Sequence, residues 1–226
     1  MRKPWWKILA FILLMYTCIM GFLVKIPVLD GRLQESIRNL FFHVPMWFGM
    51  MILFIVSVVY SIMFLSKPSD KLDIYASEYA RSGVILGILG IATGAVWARY
   101  QWGAYWSGDP KQNGAAIAVL IYLAYFVLRG SFTDVDKRNR VAAVYNIFAF
   151  AMLFPTIWIL PRLTESLHPG GQGSEGNPAL NGRDLAPEMR MVFWPAVLGW
   201  TLLTVWITTL RIRTQLLIEK QLQHAK

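Results

Sequence analysis

Apolar residues dominate six long runs of the chain, and polar or charged residues separate these runs. The runs lie at about 5–24, 44–65, 82–100, 110–129, 141–160 and 189–210. Each is close to the roughly twenty apolar residues that a helix needs to cross the hydrocarbon layer of a membrane. The pattern predicts an all-α, polytopic membrane protein with six transmembrane helices. It also predicts that residues 1–226 form a single integral-membrane domain.

Prolines, glycines and charged residues indicate where the predicted helices begin and end. His43 is predicted at the outer mouth of the second helix, with Pro45 in the first turn of that helix. Residues 66–80 are predicted to form a charged inner loop. After the fifth helix, residues 162–168 are predicted as a short surface helix and residues 169–186 as a mobile outer segment, since this segment is rich in Gly, Asn and Pro.

The basic residues are distributed unevenly between the two sides of the membrane. The chain has 22 lysines and arginines and a formal net charge of +9 at pH 7. With the N-terminus placed inside, fourteen of these residues fall in inner segments and eight in outer segments. The positive-inside rule then predicts that both termini lie inside. The excess charge faces anionic membrane lipid, and no nucleic-acid partner is predicted.

The first apolar run is predicted to remain as a transmembrane helix. Its basic start resembles that of a signal peptide, but the run is long and no small-x-small cleavage site follows it. Cys18, which lies in this run, is the single cysteine of the chain. One cysteine permits no internal disulfide and no paired-cysteine redox chemistry.

The outer segment between the third and fourth predicted helices is rich in aromatic residues. Residues 97–109 contain five large aromatic rings, two glycines and a carboxylate in the order WARYQWGAYWSGD. Tryptophan and tyrosine are common at membrane–water interfaces, so one interpretation is an aromatic belt. The rings are contiguous in one loop, however, and glycines let a flat ligand approach the backbone closely. The loop is therefore a candidate platform for a planar cofactor, and Asp109 is predicted to cap the next helix.

Two of the three histidines fall on the outer side, one on each side of the aromatic loop in the sequence. These are His43 and His168, whereas His224 lies in the polar inner tail. A lone histidine at a membrane edge is commonly a hydrogen-bonded structural residue. Neutral imidazole is also a common axial ligand of haem iron, and two imidazoles beside an aromatic platform favour a haem site. Five cations are placed to meet haem propionates, namely Arg38, Arg99, Lys111, Arg162 and Arg190.

Other kinds of site have less support in the sequence. A closed zinc site needs four ligands, and the sequence offers no such set. No predicted helix interior carries the histidine pairs of a transmembrane di-haem cytochrome, and the chain has no phosphate-binding P-loop and no supported hydrolytic triad. Ionisable residues within the apolar runs are scarce, which argues against an ion-coupled transporter.

Three stretches together resemble the CcmC/CcsA cytochrome c assembly family. Residues 102–109, WGAYWSGD, resemble the tryptophan-rich signature of that family. Residues 42–45, FHVP, with Arg38 upstream, resemble its first histidine region, and His168 resembles its second histidine. Tyr105 and Gly108 stand where the signature has tryptophan, and Lys111 stands where the family has arginine. The chain length and six helices resemble the CcmC branch more than the larger haem lyases.

The resemblance implies a haem carrier in the bacterial inner membrane, with its functional face on the periplasmic side. Haem b would bind transiently and non-covalently, with His43 and His168 as axial ligands of the iron. The resemblance assigns the other haem contacts to Trp102, Gly103, Tyr105, Trp106, Asp109, Arg38, Arg99 and Lys111. The haem would pass to the periplasmic chaperone CcmE, and CcmA, CcmB and CcmD would be further partners.

Two other functions remain open at this point. One is a haem lyase that attaches haem directly to apocytochrome c, which the short chain and the two outer histidines disfavour. The other is a membrane scaffold or transporter subunit that binds no haem and whose aromatic loop only anchors it at the interface. The sequence favours a transfer protein over a conventional enzyme.

Overall fold

The computed structural model describes residues 3–29, 31, 33–168 and 185–224, and within these ranges the regular structure is helical. Six helical segments in the described ranges are long and apolar enough to cross a membrane, which confirms the predicted all-α, six-helix architecture. The longer helices are α1 (Trp5–Leu23), α3 (Leu40–Ser66), α4 (Asp70–Trp102), α5 (Pro110–Gly130), α6 (Val135–Ala151) and α8 (Pro187–His224). Two short helices are α2 (Leu33–Ser36) and α7 (Leu160–Leu163). A 3₁₀ turn (Ile37–Asn39) precedes α3, and a π-helical segment (Phe154–Ile159) continues α6.

The second transmembrane helix begins earlier than the sequence suggested. The 3₁₀ turn runs directly into α3 at Leu40, so His43 and Pro45 lie inside the helix and not at its mouth. Pro45 lacks an N–H and therefore cannot donate the helical hydrogen bond to the carbonyl of Phe41, one turn earlier in α3. As a consequence, the His43 side chain is directed by regular helix geometry and packs against a neighbouring helix.

The predicted inner loop at residues 66–80 is wrong, because most of it forms the beginning of α4. The helix starts at Asp70, and two acidic residues in its first turn favour the positive end of the helix dipole. Two of the charged residues that suggested a loop are buried and paired inside the protein. Asp73 forms a bidentate ion pair with Arg129 of α5, and Glu78 accepts from Arg211 of α8 at 2.5 Å.

The predicted surface helix at residues 162–168 is also wrong beyond its first two residues. Helix α7 ends at Leu163, and Thr164 adopts an extended conformation with φ −128° and ψ 154°. The extended residue turns the chain back toward the beginning of α5, where it brings His168 beside the aromatic loop. Most of the segment predicted to be mobile, residues 169–184, lies outside the described residues.

Helices α3 and α4 form the closest helix pair, and glycines of α4 allow it. Along α4, an added Cβ would crowd a side chain of α3 at each of four glycines. The pairs, in order along α4, are Gly83 with Phe54, Gly87 with Met50, Gly90 with Trp47 and Gly94 with His43. Small residues at such positions let two membrane helices approach closely. Helix α8 packs against α1 and α3, while α5 packs against α4 and α6.

A second close contact gives a stability prediction at Gly114 in α5. An added Cβ there would overlap the carbonyl oxygen of Thr156 in the π-helical segment. Because backbone must move to relieve this overlap, we expect Gly114→Ala to lower the free energy of unfolding by about 1–3 kcal/mol. Gly130→Ala is the matched control on the same helix, since nothing lies within 4 Å of its added Cβ. Reversible unfolding in mixed micelles measures both, and equal stabilities would contradict the prediction.

Candidate functional site

The last three turns of α4 carry contacts to both outer histidines. His43 of α3 lies against Thr93 and Gly94, and His168 contacts the rings of Trp97 and Trp102. Thr93 and Trp97 are separated by about 6 Å along the helix axis. The structure therefore brings together the two histidines that the sequence singled out.

Hydrogen bonds fix the tautomer of His43. The indole Nε1 of Trp47, one helical turn further along α3, donates to His43 Nε2 at 3.3 Å. An indole nitrogen is only a donor, so Nε2 of His43 must be an acceptor and the ring proton lies on Nδ1. Nδ1 then donates to Thr93 Oγ1 at 3.1 Å, and that hydroxyl donates onward to a carbonyl of its own helix. His43 is thus held as a neutral imidazole with its lone pair on Nε2.

Asp109 connects the aromatic loop to His168. Its side chain is only 1% exposed and accepts four hydrogen bonds. Oδ1 accepts from the backbone N–H of Lys111 at 2.9 Å and from Nδ1 of His168 at 2.8 Å. Oδ2 accepts from the hydroxyl of Ser166 at 2.9 Å and from the backbone N–H of Leu167 at 2.7 Å. One carboxylate therefore caps α5 and anchors the chain that carries His168.

Electrostatics set the protonation of this Asp–His pair. Burial raises the pKa of Asp109. The proximity of His168 and the hydrogen bonds from Leu167, Ser166 and Lys111 together lower the pKa by more than burial raises it, so the net pKa is below its usual range. Burial lowers the pKa of His168, and this outweighs the raising effect of Asp109, while Lys111 adds to the lowering. At neutral pH the pair is a carboxylate and a neutral imidazole, so the lone pair of His168 lies on Nε2.

The aromatic residues of the site fall into two groups. Trp97 and Trp102 pack on the imidazole of His168, with ring centroids at 6.1 Å and 4.7 Å from it, and they meet each other edge-on at 5.2 Å. Tyr105 and Trp106 project from the loop and are 61% and 45% exposed. The first pair packs against His168, and the second offers apolar surface to a ligand or a partner.

Two glycines give the loop its shape. Gly103 ends α4 with φ +83°, and Gly108 precedes Asp109 with φ +74°. Only glycine adopts these left-handed angles without strain. Arg99 donates to the carbonyl of Gly103, and its guanidinium lies 6.0 Å from the ring centroid of Tyr105.

The first turn of α5 holds the loop from the other side. Gln112 Oε1 accepts from both the backbone N–H and the hydroxyl of Ser107 at 3.0 Å. Asn113 accepts from the indole N–H of Trp106 at 3.1 Å and donates to the carbonyl of Gly108 at 2.9 Å. These side chains order the loop, although Tyr105 and Trp106 remain exposed.

Three of the five cations predicted near the propionates occupy different surroundings. The Arg38 guanidinium binds Glu35 at 2.6 Å and the carbonyls of Gly21 and Val24, so it ties the 3₁₀ turn before α3 to the end of α1. Arg99 is engaged with the loop, as described above. Lys111 lies close enough to His168 to affect its pKa. Of the three, Lys111 is the cation whose charge reaches His168.

Sequence reasoning did not single out Trp47, Thr93, Ser166, Gln112 or Asn113. Trp47 follows His43 by four residues, which places the two on the same face of a helix. Had the helix been predicted to start before His43, the sequence would have indicated this pair. The other four act through contacts between separate elements. No spacing in the sequence indicates such contacts.

The Asp–His pair gives a prediction about pH. Because the native pKa of His168 lies below its unfolded value of about 6.5, the stability that it contributes is full above that pH and is lost as the pH falls through the native value. Asp109 acts in the same direction at more acidic pH. We expect the thermal midpoint of the detergent-solubilised protein to fall between pH 7.5 and 5.5, and to fall less in His168→Gln. Equal pH slopes for the two proteins would contradict this.

Comparison with known proteins gives a family match over the whole chain. The family model described as CcmC, heme exporter protein C, matches residues 1–226. The chain is 27% identical to heme exporter protein C of Bradyrhizobium diazoefficiens, over 83% of this chain and 70% of the relative. It is 22% identical to heme exporter protein C of Escherichia coli (strain K12), over 95% of this chain and 84% of the relative. It is also 35% identical to the cytochrome c biogenesis protein CcsA of Synechococcus sp. (strain CC9605), over 39% of this chain and 29% of that protein.

Proposed function

This chain belongs to the CcmC family of heme exporter proteins, and we propose that it carries haem b during cytochrome c maturation. In this proposal the haem iron binds between Nε2 of His43 and Nε2 of His168. The site faces the periplasm from the bacterial inner membrane. The haem then passes to the chaperone CcmE, with CcmA, CcmB and CcmD as further partners.

One observation carries the proposal. Two neutral imidazoles lie at the same end of the helix bundle, and each has its proton held on Nδ1 by an acceptor. In each ring Nε2 is therefore the atom with a lone pair. A histidine whose other nitrogen donates to a neighbouring oxygen is the usual form of a metal-ligating histidine.

The surroundings favour haem over a bare metal ion. Within the described residues, no three His, Cys, Asp or Glu side chains come together as a metal site. The aromatic rings beside His168 and the exposed rings of the loop suit a flat, apolar macrocycle. Two imidazoles with aromatic neighbours match haem, whose porphyrin supplies the other four ligands of its iron.

The cysteine content supports non-covalent binding. Covalent attachment of haem in c-type cytochromes uses a C-x-x-C-H motif. This chain has only Cys18, which lies exposed in α1. The haem is therefore free to leave the protein intact, as a carrier requires.

The exposed loop supports transfer to a partner outside the membrane. Tyr105 and Trp106 project from the end of the bundle that carries both histidines, and their rings are more exposed than those of a packed core. Exposed aromatic residues are enriched where one protein binds another. A soluble chaperone could approach this edge without entering the bundle.

The direct test is the visible spectrum of the full-length protein purified in detergent from cells that make haem. We expect a low-spin haem spectrum whose pyridine derivative is that of haem b, and loss of this haem to added CcmE. A protein with no visible absorption, even after haem is supplied, would overturn the proposal in favour of a scaffold. Attachment of haem to apocytochrome c in the absence of CcmE would indicate a lyase instead.

A further inference from the structure

The two outer histidines have unequal partners. His168 donates from Nδ1 to a buried carboxylate, and none of the described residues donates to its Nε2. His43 donates from Nδ1 to the Thr93 hydroxyl, and its Nε2 already accepts a hydrogen bond from Trp47. The atom of His43 that would bind iron is thus occupied in the haem-free protein.

We propose that Trp47 competes with haem iron for Nε2 of His43, which makes His43 the ligand that releases first. Asp109, in contrast, makes His168 the ligand that stays bound longer. This inference rests on the proposed haem-carrier function. It identifies Trp47 and Thr93 as positioning residues for one half of the haem site.

The packing of Trp47 explains why it stays close to His43. The indole lies against Gly90, where an added Cβ would approach its ring to 2.8 Å. The imidazole lies one turn further along α4 against Gly94, where an added Cβ would approach Cε1 of His43 to 2.6 Å. Both rings are therefore held on the same helix surface. This surface keeps the indole N–H aligned with Nε2.

The chemistry of the two acceptors gives the same order of ligand strength. An anionic carboxylate accepting from Nδ1 increases the electron density of an imidazole and strengthens its bond to a metal. The Thr93 hydroxyl is neutral and its own proton is directed to the carbonyls of Leu89 and Gly90, so it polarises His43 less. His168 is therefore the stronger donor to iron.

Release of haem then requires a simple ligand exchange. The Fe–Nε2 bond of His43 breaks, and the hydrogen bond from the Trp47 N–H to Nε2 forms in its place. No proton or electron leaves the protein, because Nδ1 keeps its proton throughout. The indole of Trp47 gives Nε2 of His43 a hydrogen bond once iron is no longer bound there, which lowers the free energy needed to release haem.

The test compares haem loss from full-length variants loaded with haem, using excess apomyoglobin as scavenger and visible absorption as readout. Trp47→Phe keeps an aromatic ring but removes the competing N–H, so we expect haem loss to slow about three- to tenfold. Trp200→Phe is the matched control, since its indole N–H is buried without a hydrogen-bond partner in the described structure. It should lose haem at the wild-type rate.

A second pair of variants decides the question if Trp47→Phe is not monodisperse. Thr93→Val removes the acceptor for Nδ1 at constant shape, so we expect faster haem loss and a smaller low-spin fraction. Thr93→Ser keeps the hydroxyl and should restore the wild-type rate and spectrum. Unchanged or faster haem loss in Trp47→Phe, or a wild-type rate in Thr93→Val, would overturn the inference. A wild type that binds no haem would instead overturn the proposed function.

Discussion

His43→Ala and His168→Ala are each expected to insert normally and to lose the low-spin haem spectrum. If haem binds as proposed, each substitution removes one of the two histidine nitrogens that hold the iron and leaves that coordination position empty or bound to water. We expect haem affinity to fall by more than the roughly 10–100-fold typical of losing a supporting residue around a metal. Visible absorption of the oxidised and reduced proteins, with haem content per chain, measures the loss.

The third histidine provides the matched control for this pair. His224 lies at the end of α8, beyond the residues that contact the site, and His224→Ala should keep wild-type haem content and spectrum. Millimolar imidazole should restore low-spin absorption in the two site variants if each lost only its ligand. Wild-type spectra in both His43→Ala and His168→Ala would exclude these residues as axial ligands.

The number and approximate position of the membrane helices could be predicted from the sequence. Length and apolar content decide whether a segment spans a bilayer, and both are local properties. Helix α5 shows how well this works, because Asp109 and Pro110 mark its start and the structure begins it at Pro110. The aromatic loop and two outer histidines were also visible, since five large aromatic residues fall within residues 97–109 and the chain has only three histidines.

The partners of charged residues could not be predicted in this way. Asp73 and Glu78 suggested a solvated loop, whereas the structure buries both and pairs them with arginines 56 and 133 residues away. Asp109 shows the same limit, because its contact with His168 spans 59 residues. A sequence read one window at a time contains no information about which distant segment returns to it.

The cations illustrate a related difficulty. Arg38 had the residue type and the position expected of a propionate ligand, yet its guanidinium contacts two carbonyls at the end of α1. Helix ends leave backbone carbonyls unsatisfied, and arginine is well suited to satisfy them. Residue type therefore identified the chemistry that Arg38 can perform, but the packing of α1 against α3 determined its partner.

Asp109→Ala is expected to weaken the His168 half of the site without removing a ligand. Four donors lose their acceptor, so residues 166–168 lose the anchor that places His168 beside Trp102. We expect haem affinity to fall by about 10–100-fold. Loss of the cap on α5 should also cost about 1 kcal/mol of stability. Haem titration and thermal unfolding in detergent measure the two effects separately.

Asp109→Asn separates the contacts of Oδ1 from those of Oδ2. Asparagine caps helices about as well as aspartate, so its oxygen can keep the bonds to the Lys111 N–H and to Nδ1 of His168. Its amide nitrogen would then face the N–H of Leu167, and two donors cannot pair. Haem affinity should therefore fall in Asp109→Asn while the stability of α5 stays near wild type. Asp134→Asn, at the equivalent cap of α6, should change neither property. Wild-type haem affinity in Asp109→Asn would show that neither the negative charge nor the bonds from Ser166 and Leu167 support haem binding, because both side chains keep the contacts of Oδ1.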